Sequence, residues 1–236
     1  VRQYSLQGSS KKNTTVIYNG IDIDHFKSEL QKESKNNTRD ILNITKDEFI
    51  IGYVGRVKEQ KRQKILIEAF NILIKKGYKV RLILVGDDTI TKESIAGNAS
   101  NYFNEIKDLI DQYNIVDNVD LVGHQSNVAQ FYNLFDCFAF PAINDSNPRV
   151  VLEAMAAKIP IIANDTGGVV DMLEDGKYGL MYSVDNAKDL SDKIELLINN
   201  NLIIDTKSAF NKLKNDFTIR EHAKLILNLY KNTNSS

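Results

Sequence analysis

The sequence predicts an α/β fold: a doubly wound, Rossmann-like parallel sheet of about six strands with helices on both faces. One observation is the alternation of short apolar runs with segments of helical spacing along the 236 residues. A second is that runs such as Phe49–Gly55 (FIIGYVG) and Val80–Gly86 (VRLILVG) are apolar at nearly every position. Strands of a parallel sheet are covered on both faces and therefore lack polar alternation. In such sheets, ligands bind beyond the carboxyl ends of the strands.

The predicted elements follow one another in regular order. Thr15–Tyr18 is predicted to be a short strand that ends at the turn signal Asn19-Gly20, and the charged residues 27–40 are predicted to be loop with at most one helical turn. The further predicted strands are Phe49–Gly55, Val80–Gly86, Val119–Gly123, Phe138–Pro141, Pro160–Ala163 and Gly179–Ser183. The predicted helices are Gln63–Lys76, Asn101–Tyr113, Val128–Phe135, Pro148–Ala157, Val169–Leu173, Ala187–Asn199, Ile203–Asn215 and Thr218–Tyr230.

Composition excludes several classes of partner. The 30 Lys and Arg residues nearly balance the 31 Asp and Glu residues, so the net charge of −1 gives no field that would recruit nucleic acid or anionic lipid. No apolar run approaches the length of a membrane span. The single cysteine, Cys137, lies in an apolar run and is predicted to be a buried core thiol, which indicates a reducing, cytoplasmic location.

Residues 145–168 (DSNPRVVLEAMAAKIPIIANDTGG) are the most informative stretch. They are predicted to form a loop, a helix with Pro148 as its first residue, a strand and a turn. From Val150 to Ala157 the helix is apolar except for Glu153, so this carboxylate is expected to be buried and to need a partner. Together with Asp145 in the preceding loop, two carboxylates flank a helix N-terminus, whose free N–H groups favour an anion.

This arrangement suits an anionic ligand that carries hydroxyls, with phosphate on the amides and hydroxyls on the acids. Two simpler interpretations remain open. Glu153 can pair with Arg149 one helical turn away, and Asp145 can be an ordinary loop residue.

The loop after the first long strand reads Gly55-Arg56-Val57-Lys58-Glu59-Gln60-Lys61. Arg56 and Lys61 can converge on one anion, since guanidinium binds phosphate oxygens in pairs and ammonium adds a mobile charge. A solvated charged loop is the alternative. The loop contains neither a G-x-G-x-x-G fingerprint nor a Walker A lysine motif, which argues against a dinucleotide or P-loop site.

Three other features lie at the predicted carboxyl edge of the sheet. His124 follows Gly123 and is either structural or part of a loop that contacts a base. Thr166-Gly167-Gly168 is a tight turn that lets the backbone approach a ligand closely. Asp87 and Asp88 are adjacent without further metal-ligating residues, so a turn is predicted there and no metal site.

Several motifs together resemble the group 1 retaining glycosyltransferases of the GT-B fold (glycosyltransferase family 4). They are NGID at 19–22, GRVKEQK at 55–61, LVGD at 84–87, SNPRVVLEAMA at 146–156 with Asp145 before it, ANDTGGVVDMLEDGKYGLMY at 163–182 and FTIREHAKLILNLY at 217–230. The resemblance extends over about residues 15–230, and the order and spacing of the motifs are more specific than any one of them.

The resemblance implies a role for each candidate residue. Members of the family bind a nucleotide sugar between two Rossmann-like domains, and this chain is similar to the second, donor-binding one. Arg56 and Lys61 would hold the donor diphosphate without a metal or other cofactor, Glu153 the ribose hydroxyls and Asp145 the transferred sugar. The remaining donor-binding residues implied are Gly55, Gly123, His124, Ser146, Asn147, Arg149 and Val150, with the loop at Gly123 and His124 beside the base.

The resemblance also predicts the domain organisation. Residues 1–15 are expected to be the remnant of a preceding domain or linker, 16–217 the donor-binding domain, and 218–236 a helix and tail that pack toward a missing N-terminal, acceptor-binding domain. A cytoplasmic protein is expected, with membrane contact only through that missing domain. The setting expected by analogy is bacterial surface polysaccharide or glycoconjugate synthesis.

Two departures from the family pattern keep other functions open. Asp145 stands where the family usually has glutamate, one methylene longer, and Pro148 removes one possible amide donor. A non-catalytic module that binds a nucleotide or a partner chain is therefore the alternative to a transferase. A third, weaker possibility is a different reaction on the same fold, as in sugar-nucleotide epimerases.

Overall fold

The computed structural model describes residues 15–32, 35–87 and 100–233. Its six strands are β1 Phe49–Val54, β2 Val80–Val85, β3 Val119–Gly123, β4 Cys137–Phe140, β5 Ile161–Asn164 and β6 Leu180–Tyr182. They form one sheet in the order β3-β2-β1-β4-β5-β6, in which every pair is parallel. The predicted doubly wound parallel sheet is confirmed, and the continuous apolar runs account for it.

Ten α-helices cover the sheet within the described residues. They are α1 Ile23–Lys32, α2 Lys35–Ile41, α3 Gln63–Lys75, α4 Ser100–Gln112, α5 Ala129–Tyr132, α6 Arg149–Ala157, α7 Gly168–Met172, α8 Ala187–Ile198, α9 Thr206–Asp216 and α10 Ile219–Thr233. Short 3₁₀ turns occupy Glu59–Lys61 and Val116–Asn118. None of these helices is long and apolar enough to cross a membrane.

The core consists of two apolar layers, one on each face of the sheet. Successive residues of β1 point to opposite faces: Ile50 packs with α1, α5, α6, α7 and α9, whereas Ile51 packs with α3, α4 and α8. Because β1 and β4 are neighbours, the strand order reverses between them. In open α/β sheets, such a reversal leaves a crevice at the carboxyl edge of the sheet, and ligands bind there.

Three sequence predictions are wrong in detail. Residues 15–20 form no strand, and residues 27–40, predicted as loop, lie largely in α1 and α2. The apolar stripe of α1 is sparse, but Phe26 is buried against the Tyr132 ring with the ring centroids 5.6 Å apart, and this contact stabilises the helix. Pro148 is the N-cap of α6 rather than its first residue. The predicted remnant before Thr15 and the polar stretch 88–99 lie outside the described residues.

Helix α10 carries an unusual number of exposed apolar side chains. Ile219, Leu225, Leu227, Leu229 and Tyr230 are each 40 to 66% exposed. Exposed apolar patches favour association. We therefore expect the isolated chain to self-associate as its concentration rises, and sedimentation velocity across a hundredfold range, about 1 to 100 μM, checks this. Leu227→Lys is expected to restore the monomer, and a wild-type chain that stays monomeric throughout would contradict the expectation.

Candidate functional site

The loops that follow β1 and β4 meet at the point where the strand order reverses. Lys61 Nζ lies 2.6 Å from Asp145 Oδ2, and both side chains are about a quarter exposed. The backbone N–H of Ile143 donates to the carbonyl of Gln60 over 3.0 Å, which joins the two loops directly. The structure thus brings together two residues that are 84 positions apart and that the sequence analysis selected independently. An ammonium and a carboxylate stand side by side at the mouth of the crevice.

Glu153 lies one turn into α6, and its partner is Tyr132 at the end of α5. The Tyr132 hydroxyl lies 2.9 Å from Glu153 Oε2 and 3.2 Å from the carbonyl oxygen of Val150. Burial raises the pKa of Glu153, while the hydrogen bond from Tyr132 and the charge of Arg149 oppose this shift. Glu153 is therefore not simply paired with Arg149: its carboxyl is largely buried and accepts a hydrogen bond from Tyr132. Sequence reasoning had no means of finding Tyr132, because nothing local distinguishes it from a core aromatic.

The loop before α6 is held by contacts that its own sequence does not reveal. The fully buried Asn164 side chain donates from Nδ2 to the carbonyls of Pro141 and Ala142, each over 2.8 Å. A single polar residue at the end of an apolar strand was the available signal for this role. Further along the loop, the N–H of Gly168 donates to the Asp145 carbonyl over 2.9 Å. The glycine turn therefore approaches the Asp145 loop itself.

Arg56 extends from a platform built on β1 and α3. The buried Gln63 donates from Nε2 to the Arg56 carbonyl over 2.8 Å and to the Tyr53 hydroxyl over 3.0 Å. A Cβ on Gly55 would lie 2.6 Å from that hydroxyl, so the platform also requires a glycine before the arginine. The Arg56 side chain itself is exposed. The backbone is fixed, whereas the guanidinium stays in contact with solvent at the edge of the crevice.

The remaining candidate residues lie around this centre. Ser146 and Arg149 are exposed, and Asn147 is half-buried with a buried Oδ1 that has no hydrogen-bond partner within the described part of the chain. His124 is exposed after β3, two strands away from β1 or roughly 10 Å at the usual strand spacing. The carbonyl of Gly123 accepts from Gly86 N–H over 2.8 Å, which joins the loops after β2 and β3.

Neither a metal site nor a nucleophilic cysteine is apparent in residues 15–32, 35–87 and 100–233. No group of three or more His, Cys, Asp or Glu side chains is placed there to hold a metal ion. Cys137 is fully buried in β4, and burial raises the pKa of its thiol, which keeps it protonated. The prediction of a core thiol is confirmed.

The raised pKa of Glu153 makes a prediction about stability. A carboxyl whose pKa is higher in the folded chain than in the unfolded one stabilises the fold below the unfolded pKa, and this contribution is lost as pH rises through the folded pKa. Glu153→Gln keeps an acceptor for Tyr132 and removes the ionisation. We expect the variant to have a higher Tm than the wild type at pH 7.5 and the same Tm at pH 4, measured by circular dichroism. A lower Tm at pH 7.5 would contradict a buried, strained carboxylate.

A six-stranded, doubly wound parallel sheet with charged loops at its switch point places the chain in the class of Rossmann-like α/β domains. Within that class, the family model for glycosyl transferases group 1 matches residues 34–216, and the chain belongs to this family. The resemblance of the sequence motifs to group 1 glycosyltransferases is thereby confirmed.

Individual relatives agree with the family match. The capsular polysaccharide biosynthesis glycosyltransferase CapM of Staphylococcus aureus is 32% identical over 188 residues, which are 80% of this chain and 46% of CapM. The chain thus spans about half the length of that relative. Anabaena Alr3699/HepE, solved with UDP and glucose, superposes with a TM-score of 0.79 over 95% of this chain and 58% of its own, at 24% identity.

A third comparison concerns the extent of the fold. The C-terminal domain of the group 1 glycosyl transferase LpcC from Francisella tularensis superposes with a TM-score of 0.67 over 85% of this chain and 100% of that domain, at 19% identity. At such identities the solved structures establish the fold alone. They agree with the predicted GT-B architecture, of which this chain resembles one Rossmann-like domain.

Proposed function

We propose that this chain is the nucleotide-sugar donor-binding domain of a retaining glycosyltransferase, which transfers a sugar from a nucleoside diphosphate sugar to an acceptor. The observation that carries the proposal is the Lys61–Asp145 pair at the switch point, beside the first turn of α6. Family membership and the UDP and glucose bound to HepE support it. CapM acts, by its name, in capsular polysaccharide biosynthesis, and we assign this chain to bacterial surface polysaccharide or glycoconjugate synthesis.

In this proposal the diphosphate lies across the mouth of the crevice. Arg56 and Lys61 neutralise its charge, and the backbone N–H groups near Ser146, Asn147, Arg149 and Val150 donate to the phosphate oxygens at the N-terminus of α6. As the sugar leaves, charge accumulates on the terminal phosphate. The fixed cations and amides next to the oxygens of this phosphate stabilise the transition state electrostatically, and no metal ion is assigned to this task.

The two acids bind hydroxyl groups on either side of the diphosphate. Glu153 accepts from the ribose, where a carboxylate that already accepts from Tyr132 keeps a second oxygen for the ligand. Asp145 contacts the transferred sugar. When the donor binds, Lys61 exchanges the Asp145 carboxylate for phosphate oxygens, which releases Asp145 toward the sugar hydroxyls. The loop at Gly123 and His124, two strands from β1, borders the base.

The acceptor and its specificity belong to a second, N-terminal domain in this proposal. Helix α10, with its exposed apolar side chains, is the surface that such a domain would cover. The whole enzyme is proposed to be cytoplasmic, with membrane contact only through that other domain.

Titration calorimetry against UDP, GDP and ADP tests the proposal. We expect one of the three to bind, and Arg56→Ala or Glu153→Ala to weaken its binding by about 1–3 kcal/mol, since each removes a charged hydrogen-bonding group. Affinity is expected to be the same in EDTA. Lys177→Ala is a matched control, because Lys177 precedes β6 and lies at the amino edge of the sheet.

The outcomes separate the alternatives. Failure of all three nucleotides to bind would contradict a preformed donor site. Binding without sugar transfer, when an N-terminal domain of a related transferase is supplied, would favour the non-catalytic module instead.

A further inference from the structure

The NGID motif at residues 19–22 has no part in the site described so far, yet it contacts that site. We call residues 18–22 the strap. On one side the strap lies against the start of α10: Ile21 N–H donates to the Phe217 carbonyl over 2.9 Å, and Ile219 N–H donates to the Ile21 carbonyl over 3.1 Å. A Cβ on Gly20 would lie 2.4 Å from the carbonyl oxygen of Thr218. Only a glycine permits this backbone-to-backbone approach.

On its other side the strap reaches the loop between β4 and α6, residues 141–148, which we call the donor loop. Asn19 Nδ2 donates to the carbonyl of Asn147 over 3.4 Å, across 128 residues of sequence. Beside it, the Tyr18 hydroxyl lies 3.4 Å from Asp171 Oδ2 on α7, and the Tyr18 ring meets Phe217 edge-on with centroids 5.5 Å apart. The strap therefore contacts three segments: the start of α10, the donor loop at Asn147 and α7 at Asp171.

The supports described above hold other residues of the donor loop. Asn164 holds the carbonyls of residues 141 and 142, and the glycine turn contacts residues 145 and 146. The N–H groups of Arg149 and Val150, which are proposed to donate to the phosphate oxygens, follow after Pro148, which has no N–H. The Asn147 carbonyl belongs to the peptide bond to Pro148, the N-cap of α6, so the hydrogen bond from Asn19 restrains the start of that helix and the direction of its first N–H groups.

We propose that Asn19 is a positioning residue for the donor diphosphate, acting through the Asn147 carbonyl, and that the strap transmits displacement of the base of α10 to the donor loop. The inference rests on the proposed function. Asn19 contacts no donor atom in it. At 3.4 Å the bond is long and solvent-exposed, so it is easily broken and reformed when α10 moves.

The test compares Asn19→Ala with the wild type in two measurements on the full chain. The Kd of the nucleotide that binds best among UDP, GDP and ADP is expected to rise about three- to tenfold, the effect of one neutral hydrogen bond. Hydrogen exchange of the amides at residues 146–150 is expected to accelerate without ligand, while Tm stays within about 2 °C. Asn199→Ala, which removes a side-chain amide bond to Tyr78 far from the site, is the matched control and should change neither quantity.

A second variant addresses transmission along the strap. Gly20→Ala forces the strap away from Thr218, and the same amides at 146–150 are expected to exchange faster. Unchanged exchange in both variants would overturn the inference. If the wild type binds none of the three nucleotides, the proposed function fails, and hydrogen exchange at residues 146–150 still decides whether the strap positions the loop.

Discussion

Gly168→Ala is expected to lower the free energy of unfolding by about 3 kcal/mol, near the upper end for overpacking, and to weaken nucleotide binding at the same time. A Cβ at this position would lie 1.8 Å from the carbonyl oxygen of Ser146 and 2.5 Å from its carbon. These are backbone atoms, so no side chain can rotate to make room. Either α7 or the loop that carries Asp145 must move, and the hydrogen bond from Gly168 N–H to the Asp145 carbonyl is lost.

Denaturant unfolding and calorimetry measure the two effects, with Gly77→Ala as the control. Gly77 has φ +83° and no atom within 4 Å of its would-be Cβ, so alanine there introduces only left-handed backbone strain of about 1 kcal/mol. It lies in the turn after α3, and nucleotide binding should not change. Wild-type affinity in Gly168→Ala would show that the close approach of the glycine turn does not position Asp145.

The elements that the sequence predicts well are those whose pattern is local. Strands β1 and β2 are continuous apolar runs, and α3 has regular helical spacing. By contrast, α1 was missed because Phe26 is its only buried side chain, and what stabilises the helix is the contact of that ring with Tyr132 more than 100 residues away. The charged residues of 27–40 led to the prediction of a loop, although a weak apolar stripe is present there.

The same distinction holds for the candidate site. Arg56, Lys61 and Asp145 could be selected because charged residues after apolar strands meet at one sheet edge, and Glu153 because it is the single carboxylate in an apolar helical run. The residues that these side chains contact could not be identified from the sequence in the same way. The Lys61–Asp145 bond requires the β1–β4 adjacency, and Tyr132 reaches Glu153 from a separate four-residue helix. Which residues approach one another across the switch point depends on strand order, which no short window of sequence contains.

Lys61→Met is expected to reduce nucleoside diphosphate affinity by about 100-fold, because a charge-assisted bond to phosphate contributes up to about 3 kcal/mol. The free energy of unfolding should fall only slightly. Lys61 and Asp145 are each about a quarter exposed, and partly exposed ion pairs contribute at most about 1 kcal/mol to stability. Lys58→Met, three residues earlier in the same loop, is the matched control for loss of one positive charge. Calorimetry at two salt concentrations measures affinity, and denaturant unfolding measures stability.

Asp145→Asn is expected to change nucleoside diphosphate affinity in the opposite direction from Lys61→Met. It tests more directly whether Lys61 exchanges the Asp145 carboxylate for phosphate oxygens. In the free chain the carboxylate competes with phosphate for the ammonium. Asparagine keeps the shape and removes the negative charge, so the nucleoside diphosphate alone is expected to bind more tightly, by about three- to tenfold. The matching nucleotide sugar should gain less, since the carboxylate that would accept from its hydroxyls is gone. Equal gains for both ligands would mean that Asp145 only restrains Lys61, whereas weaker binding of the diphosphate would mean that the ion pair itself holds the site in its binding conformation.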